Sequence, residues 1–220
     1  MRPITKLLLL GVLAFIVFLL WPRTADMKAF DPVKLAALEV ASWQAQKADK
    51  GFDAWKARFK IYSSQYHFDP TSAFRIAQSQ GAALKSLMLS RGENADATEE
   101  GRSIQSFTEK YTWIKKQAKL DINTDALARE EFAWRLLELD GNPPADIAPP
   151  ISRILAALYG GNPADFLDVA THIASARALI FKGDPSTGEP DVYSAKTMLE
   201  EAYKNLHEIA LTPPAATPAP

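Results

Sequence analysis

The segment DVYSAKTMLEEAYKNLHEIAL, Asp191–Leu211, decides the fold class. Val192, Ala195, Leu199, Ala202, Leu206 and Ile209 recur three and four residues apart, which is one face of an α-helix. The same spacing returns upstream in Ile104, Phe107, Tyr111, Ile114 and Ala118, and in Ala73, Ile76, Ala77, Leu84, Leu87 and Met88. Phe52, Trp55, Phe59 and Tyr62 form a further stripe, and no run of period-two alternation competes with these. The expected fold class is all-α: an N-terminal transmembrane helix followed by a globular domain of about eight helices.

Punctuation divides the helices. Asp31-Pro32 and Asn162-Pro163 read as N-caps with proline at the first helical position. Thr124 is placed to cap a helix that Asp140-Gly141-Asn142-Pro143-Pro144 stops, and Gly183–Pro190 reads as a loop. The resulting division is 1–28 for the membrane anchor and its flanks, 29–211 for the helical domain and 212–220 for a Pro/Ala-rich tail with little to pack.

The anchor rests on Leu7–Trp21, fifteen apolar residues without a charge. As a helix, Ile4–Trp21 spans roughly 27 Å at about 1.5 Å per residue. That falls a little short of a ~30 Å hydrocarbon core, a gap that snorkelling by Lys6 and Arg23 and an interfacial Trp21 can close. A cleaved signal peptide is the rival, but WPRTADMKA offers no good pair of small residues at a cleavage site. Arg2 and Lys6 before the segment tip the balance toward a cytoplasmic N-terminus and an extracytoplasmic domain, periplasmic in a bacterium.

Composition excludes several function classes. The chain of 220 residues has a formal net charge of −1, and residues 29–211 carry 21 Lys and Arg against 25 Asp and Glu. A nucleic-acid binder needs a basic footprint, so nucleic acid is not an expected partner. The absence of cysteine removes disulfides, thiolate metal sites and cysteine nucleophiles. The three histidines lack HxH, HxxxH and ExxH spacing, and Asp168 with His172 reads as a polar helix edge. No GxSxG, GxxxxGK[ST] or GxGxxG occurs, so no cofactor is expected.

The stretch REEFAWRLL, Arg129–Leu137, sets two adjacent glutamates beside a tryptophan. On a helical wheel Ala126, Ala133, Leu136 and Leu137 mark the buried centre, which places Glu130 inside and Glu131, Arg135 and Glu138 in solvent. The same construction puts Arg177, Gln80 and Glu39 within apolar arcs. These four are the expected buried polar network, with Glu130–Arg177 as its ion pair, since a buried carboxylate needs a partner. Elsewhere, Trp113 lies opposite its own helix's stripe with Lys110 and Lys116 nearby, and is the expected partner surface. Trp43, Trp55 and Phe59 are expected in the core.

AREEFAWRLL, followed by ISRILAALYGGNPADFLDVATHIASARALI, resembles a group of membrane-anchored, all-helical bacterial proteins with no established activity. Such proteins often show a second tryptophan and then paired arginines where this chain has Arg135 and Leu137-Glu138. The resemblance implies a bacterial origin and a helical fold. The expected function is protein–protein association by a domain held at a membrane through Leu7–Trp21. The alternatives are an envelope hydrolase with Glu130 as its acid, and a tetratricopeptide-like adaptor built on the last two helices.

Overall fold

The structure is a computed structural model that describes residues 27–92 and 97–212. Among these residues there are eight α-helices and no strand. No described helix is long and apolar enough to cross a membrane. The expected anchor segment Leu7–Trp21 and most of the expected tail lie outside the described residues.

Helix α1 is Pro32–Lys47, α2 Gly51–Lys60, α3 Pro70–Leu89, α4 Ala97–Ala118, α5 Thr124–Leu139, α6 Pro144–Tyr159, α7 Leu167–Phe181 and α8 Val192–Leu211. Their starts follow from local chemistry. Asp31 and Asp69 each accept two backbone N–H bonds ahead of a proline in the first turn, satisfying donors that have no intrahelical partner. Asn162 caps a short 3-10 turn, Pro163–Phe166, that leads into α7. The cap of α5 is Asn123, whose side chain accepts from the Ala126 N–H. Thr124 is already the first helical residue.

The wide loop between α7 and α8 contains Gly183 at φ +92, where a Cβ would stand 2.3 Å from the Gly188 carbonyl oxygen. Only glycine fits that crossing.

Each helix packs against the next in sequence, and α8 returns to pack against α1, so the eight close into a ring. Lysines tie this ring together at helix ends. Lys47 at the end of α1 donates to the Ile180 carbonyl at 2.9 Å, and Lys182 donates to the Gly141 and Asn142 carbonyls at 2.8 and 3.0 Å. These contacts satisfy carbonyls that a helix end or turn leaves without partners.

Between α2 and α3 the chain runs through one π-helical turn, Ile61–Gln65, whose wider winding carries Tyr62 toward α3. There its hydroxyl donates to Gln80 Oε1 at 2.9 Å. His67 follows at φ +55, a costly conformation for a side chain, with its Nε2 2.9 Å from the Ala29 carbonyl oxygen. Met27 and Phe30 are buried, so the helical body takes in Met27 from the expected anchor flank. Phe30 makes edge-on contacts with Tyr66, Tyr159 and Tyr203.

Candidate functional site

A ring of helices must fill its centre, and this one does so partly with charge. The inner face of α5 carries Leu127, Ala128, Glu131, Phe132, Trp134 and Arg135. Glu131 is 2% exposed, against the expectation that it lies in solvent. Its Oε2 accepts from Lys110 Nζ at 2.5 Å and from the Tyr111 hydroxyl at 2.9 Å, both on α4. Arg135, one turn on, lies 3.5 Å from Glu131 and 3.8 Å from Glu138. Arg177 of α7 then closes on Glu138 with two bonds of 2.7 Å. Lys110, Glu131, Arg135, Glu138 and Arg177 therefore form one alternating chain of charge across three helices.

Aromatic rings sheathe this chain. The Arg135 guanidinium sits 3.7 Å from the Trp134 ring centroid, while Arg177 is 4.8 Å from Trp43, 5.2 Å from Trp134 and 4.7 Å from Phe181. Guanidinium groups hydrate weakly and stack on aromatic faces, which suits them to such surroundings better than ammonium groups.

Burial alone would push the Glu131 carboxyl up. Lys110, Arg135 and the bonds from Lys110 and Tyr111 outweigh it and hold the group below the ordinary carboxylate range. Glu138 follows the same pattern, with Arg177 as the main opposing charge. Glu39 does not: burial raises it, and the more distant Arg177 and Arg58 offset only part of that. Arg135 is pushed down to about 10, by burial first and then by Arg177.

The expected network is thus partly relocated. Arg177, Gln80 and Glu39 all line one central cavity, of about 170 Å³, together with Arg58, Lys110, Glu131 and Arg135. Glu130 is absent from it. Its carboxylate is half-buried on the outer side of α5 and takes two 2.7 Å bonds from Arg153 of α6. The expected Glu130–Arg177 pair does not form; Glu130 pairs with Arg153 instead. Weighting alanine as apolar turned the wheel the wrong way, since Ala126 and Ala133 are exposed. The inward stripe was visible in another form: Leu127, Glu131, Trp134, Arg135 and Glu138 share one helical face, and charge there was read as solvent contact. Arg58 carried no comparable signal.

Of the expected partner surface, Trp113, Lys110 and Lys116, one member is corrected. Lys110 is only 7% exposed and belongs to the interior. Trp113 is half-buried and packs against the core, with Lys116 Nζ 5.0 Å from its ring.

An exposed aromatic surface lies on α2 and α3. Phe52, Trp55 and Phe59 of α2 stack in a row at 5.8 Å spacings, and Phe74 of α3 meets Trp55 edge-on at 5.8 Å. Trp43 is buried as expected, but Trp55 and Phe59 are only partly covered and Phe52 is 72% exposed. Trp55, Phe59, Pro70, Thr71, Phe74 and Arg75 line a shallow hollow beside the row. Arg75 is exposed at the hollow, and Lys56 and Lys60 are exposed on α2, each next in sequence to a ring of the row. Its 3-and-4 spacing read as a core stripe because periodicity shows that residues share a face, not what covers that face.

No family model, no curated protein and no solved structure matches this chain.

Proposed function

We propose that this chain is a membrane-tethered association module whose contact surface is the aromatic row of α2 and α3. The row Phe52–Trp55–Phe59, closed by Phe74, is the observation that carries the reading. Contiguous aromatic surface is costly to leave in water, and aromatic side chains dominate the energetics of protein contacts. The hollow between Trp55, Phe59, Pro70 and Phe74 suits a protruding side chain. A bilayer surface would call for a convex wedge instead.

Partner chemistry follows from these exposed cations. Lys56, Lys60 and Arg75 favour an apolar protein segment, helical or extended, flanked by carboxylates. The tether in this reading is Leu7–Trp21. Five residues separate Trp21 from the buried Met27, a reach of roughly 20 Å when extended. A partner of this surface therefore lies at the membrane, on the extracytoplasmic side by the charge pattern of the N-terminus.

The test is a photoreactive phenylalanine analogue at position 52 of the full-length protein in its native membrane, with Tyr193 of α8, 82% exposed, as the control position. The expected result is a discrete protein adduct at 52 that is absent at 193 and lost with Phe74→Ser. Lipid adducts alone, no adduct, or the same adducts at both positions would overturn the reading.

A further inference from the structure

The central cavity has a mixed lining. Ile151, Ile154, Leu155 and Leu158 of α6 contribute apolar side chains to it, and Arg58 and Arg135 contribute cations. The charged part of this lining is unbalanced. Arg58 is 6% exposed and, among the described residues, forms no ion pair and finds no hydrogen-bond acceptor for its Nη2. Arg135 Nε is in the same position. Both deficits are of acceptors, and both belong to cations.

The charge count agrees. Among the described residues, Arg58, Lys110, Arg135 and Arg177 stand against Glu39, Glu131 and Glu138, so one cation is uncompensated even with all three carboxylates ionised. An uncompensated buried charge is strongly unfavourable, and the natural compensation is an anion bonded directly to it.

We infer that the cavity is a binding site for a small amphipathic monocarboxylate, with its carboxylate on Arg58 and its apolar body against Ile154, Leu155 and Leu158. Inorganic phosphate or sulfate would answer the charge but leave the apolar lining without a partner. A hydrocarbon would do the reverse. At about 170 Å³ the space suits a ligand the size of benzoate or hexanoate, as apolar protein cavities of about 150 Å³ take up benzene. This site is separate from the aromatic row and does not depend on the association reading.

The probes are carboxyl-labelled benzoate and hexanoate, titrated by NMR into the full-length protein in nanodiscs, with protein-free nanodiscs as the blank. Benzyl alcohol and hexanol are the neutral controls. A dissociation constant of about a millimolar or tighter is expected for ligands of this size. The acids should bind about tenfold more tightly than the alcohols, because a charge-assisted bond distinguishes them.

Arg58→Met should erase that preference, leave the alcohols within about twofold, and raise the melting temperature of the ligand-free protein. If Arg58→Met does not fold, Ile154→Phe supplies the second variant and should weaken acid and alcohol alike by filling space along the apolar lining. The inference is overturned by absence of saturable binding to about 10 mM acid, by equal affinity for acid and alcohol, or by affinity that neither variant changes.

Discussion

Arg177 of α7 and Glu138 of α5 form a two-pronged ion pair at 2.7 Å, with the arginine 3% exposed. Removing one partner strands a charge in the ring's interior. Glu138→Ala should therefore cost about 3–5 kcal/mol, measured by urea unfolding. The double change Glu138→Leu with Arg177→Met should recover most of that loss, because apolar residues of similar size replace a buried pair at little net cost. Equal losses in the single and double variants would show instead that the pair itself is net stabilising and that a stranded charge does not account for the loss.

Glu130 provides the contrast on the same helix. Its partner Arg153 is about half exposed, so Glu130→Gln should change stability by no more than about 1 kcal/mol. Glu131→Gln, although only one residue away, removes a buried charge that accepts from Lys110 and Tyr111 and pairs with Arg135, and should cost several times more.

Acid should unfold this protein through Glu131 and Glu138. Both are held below the ordinary carboxyl value of 4.5, so the stability they contribute is present above that pH and is lost as pH falls through their lowered folded values. Glu39 has the opposite sign. Its raised value means that ionisation costs the fold stability above 4.5, a cost relieved as the group takes up its proton. Melting temperatures between pH 7 and 3 should fall more gently in Glu131→Gln than in the native protein. Glu39→Gln should gain on the native protein at pH 7 and lose that advantage below 4.5. Parallel curves for all three would contradict the assignment.

The aromatic row is expected to matter little to folding. Phe52→Ser should leave unfolding free energy within about 0.5 kcal/mol, because the ring is mostly in water already. Phe107→Ala, at a fully buried position, should cost about 3–5 kcal/mol under the same denaturant. Trp113→Ala should fall between them, since that ring packs partly against the core.

Gly183 tests the α7–α8 loop. Alanine there meets both a left-handed φ and the Gly188 carbonyl, so it should destabilise by more than about 1 kcal/mol. At Gly141, also at positive φ but with open space around the added Cβ, the cost should be smaller. Thermal melts of the two variants make the comparison.

What the sequence by itself determined is the set of local structures. Periodicity along α4 and α8, proline-led caps at Asp31, Asp69 and Asn162, and the glycine-rich break before α8 are written in neighbouring residues, because helix formation and capping act over a turn or two. Arg177 and Gln80 could be placed inward by the apolar residues around them on their own helices. Closure of the ring, and with it the identity of each partner, was decided only in three dimensions. Whether Arg177 meets Glu130 or Glu138 depends on how α5 is rotated against α7, and a wheel that equates charge with solvent loses that rotation once charges pair inside. Phe52, Trp55 and Phe59 show the converse: their spacing identified a shared face, but only the packing of α2 against its neighbours left that face uncovered.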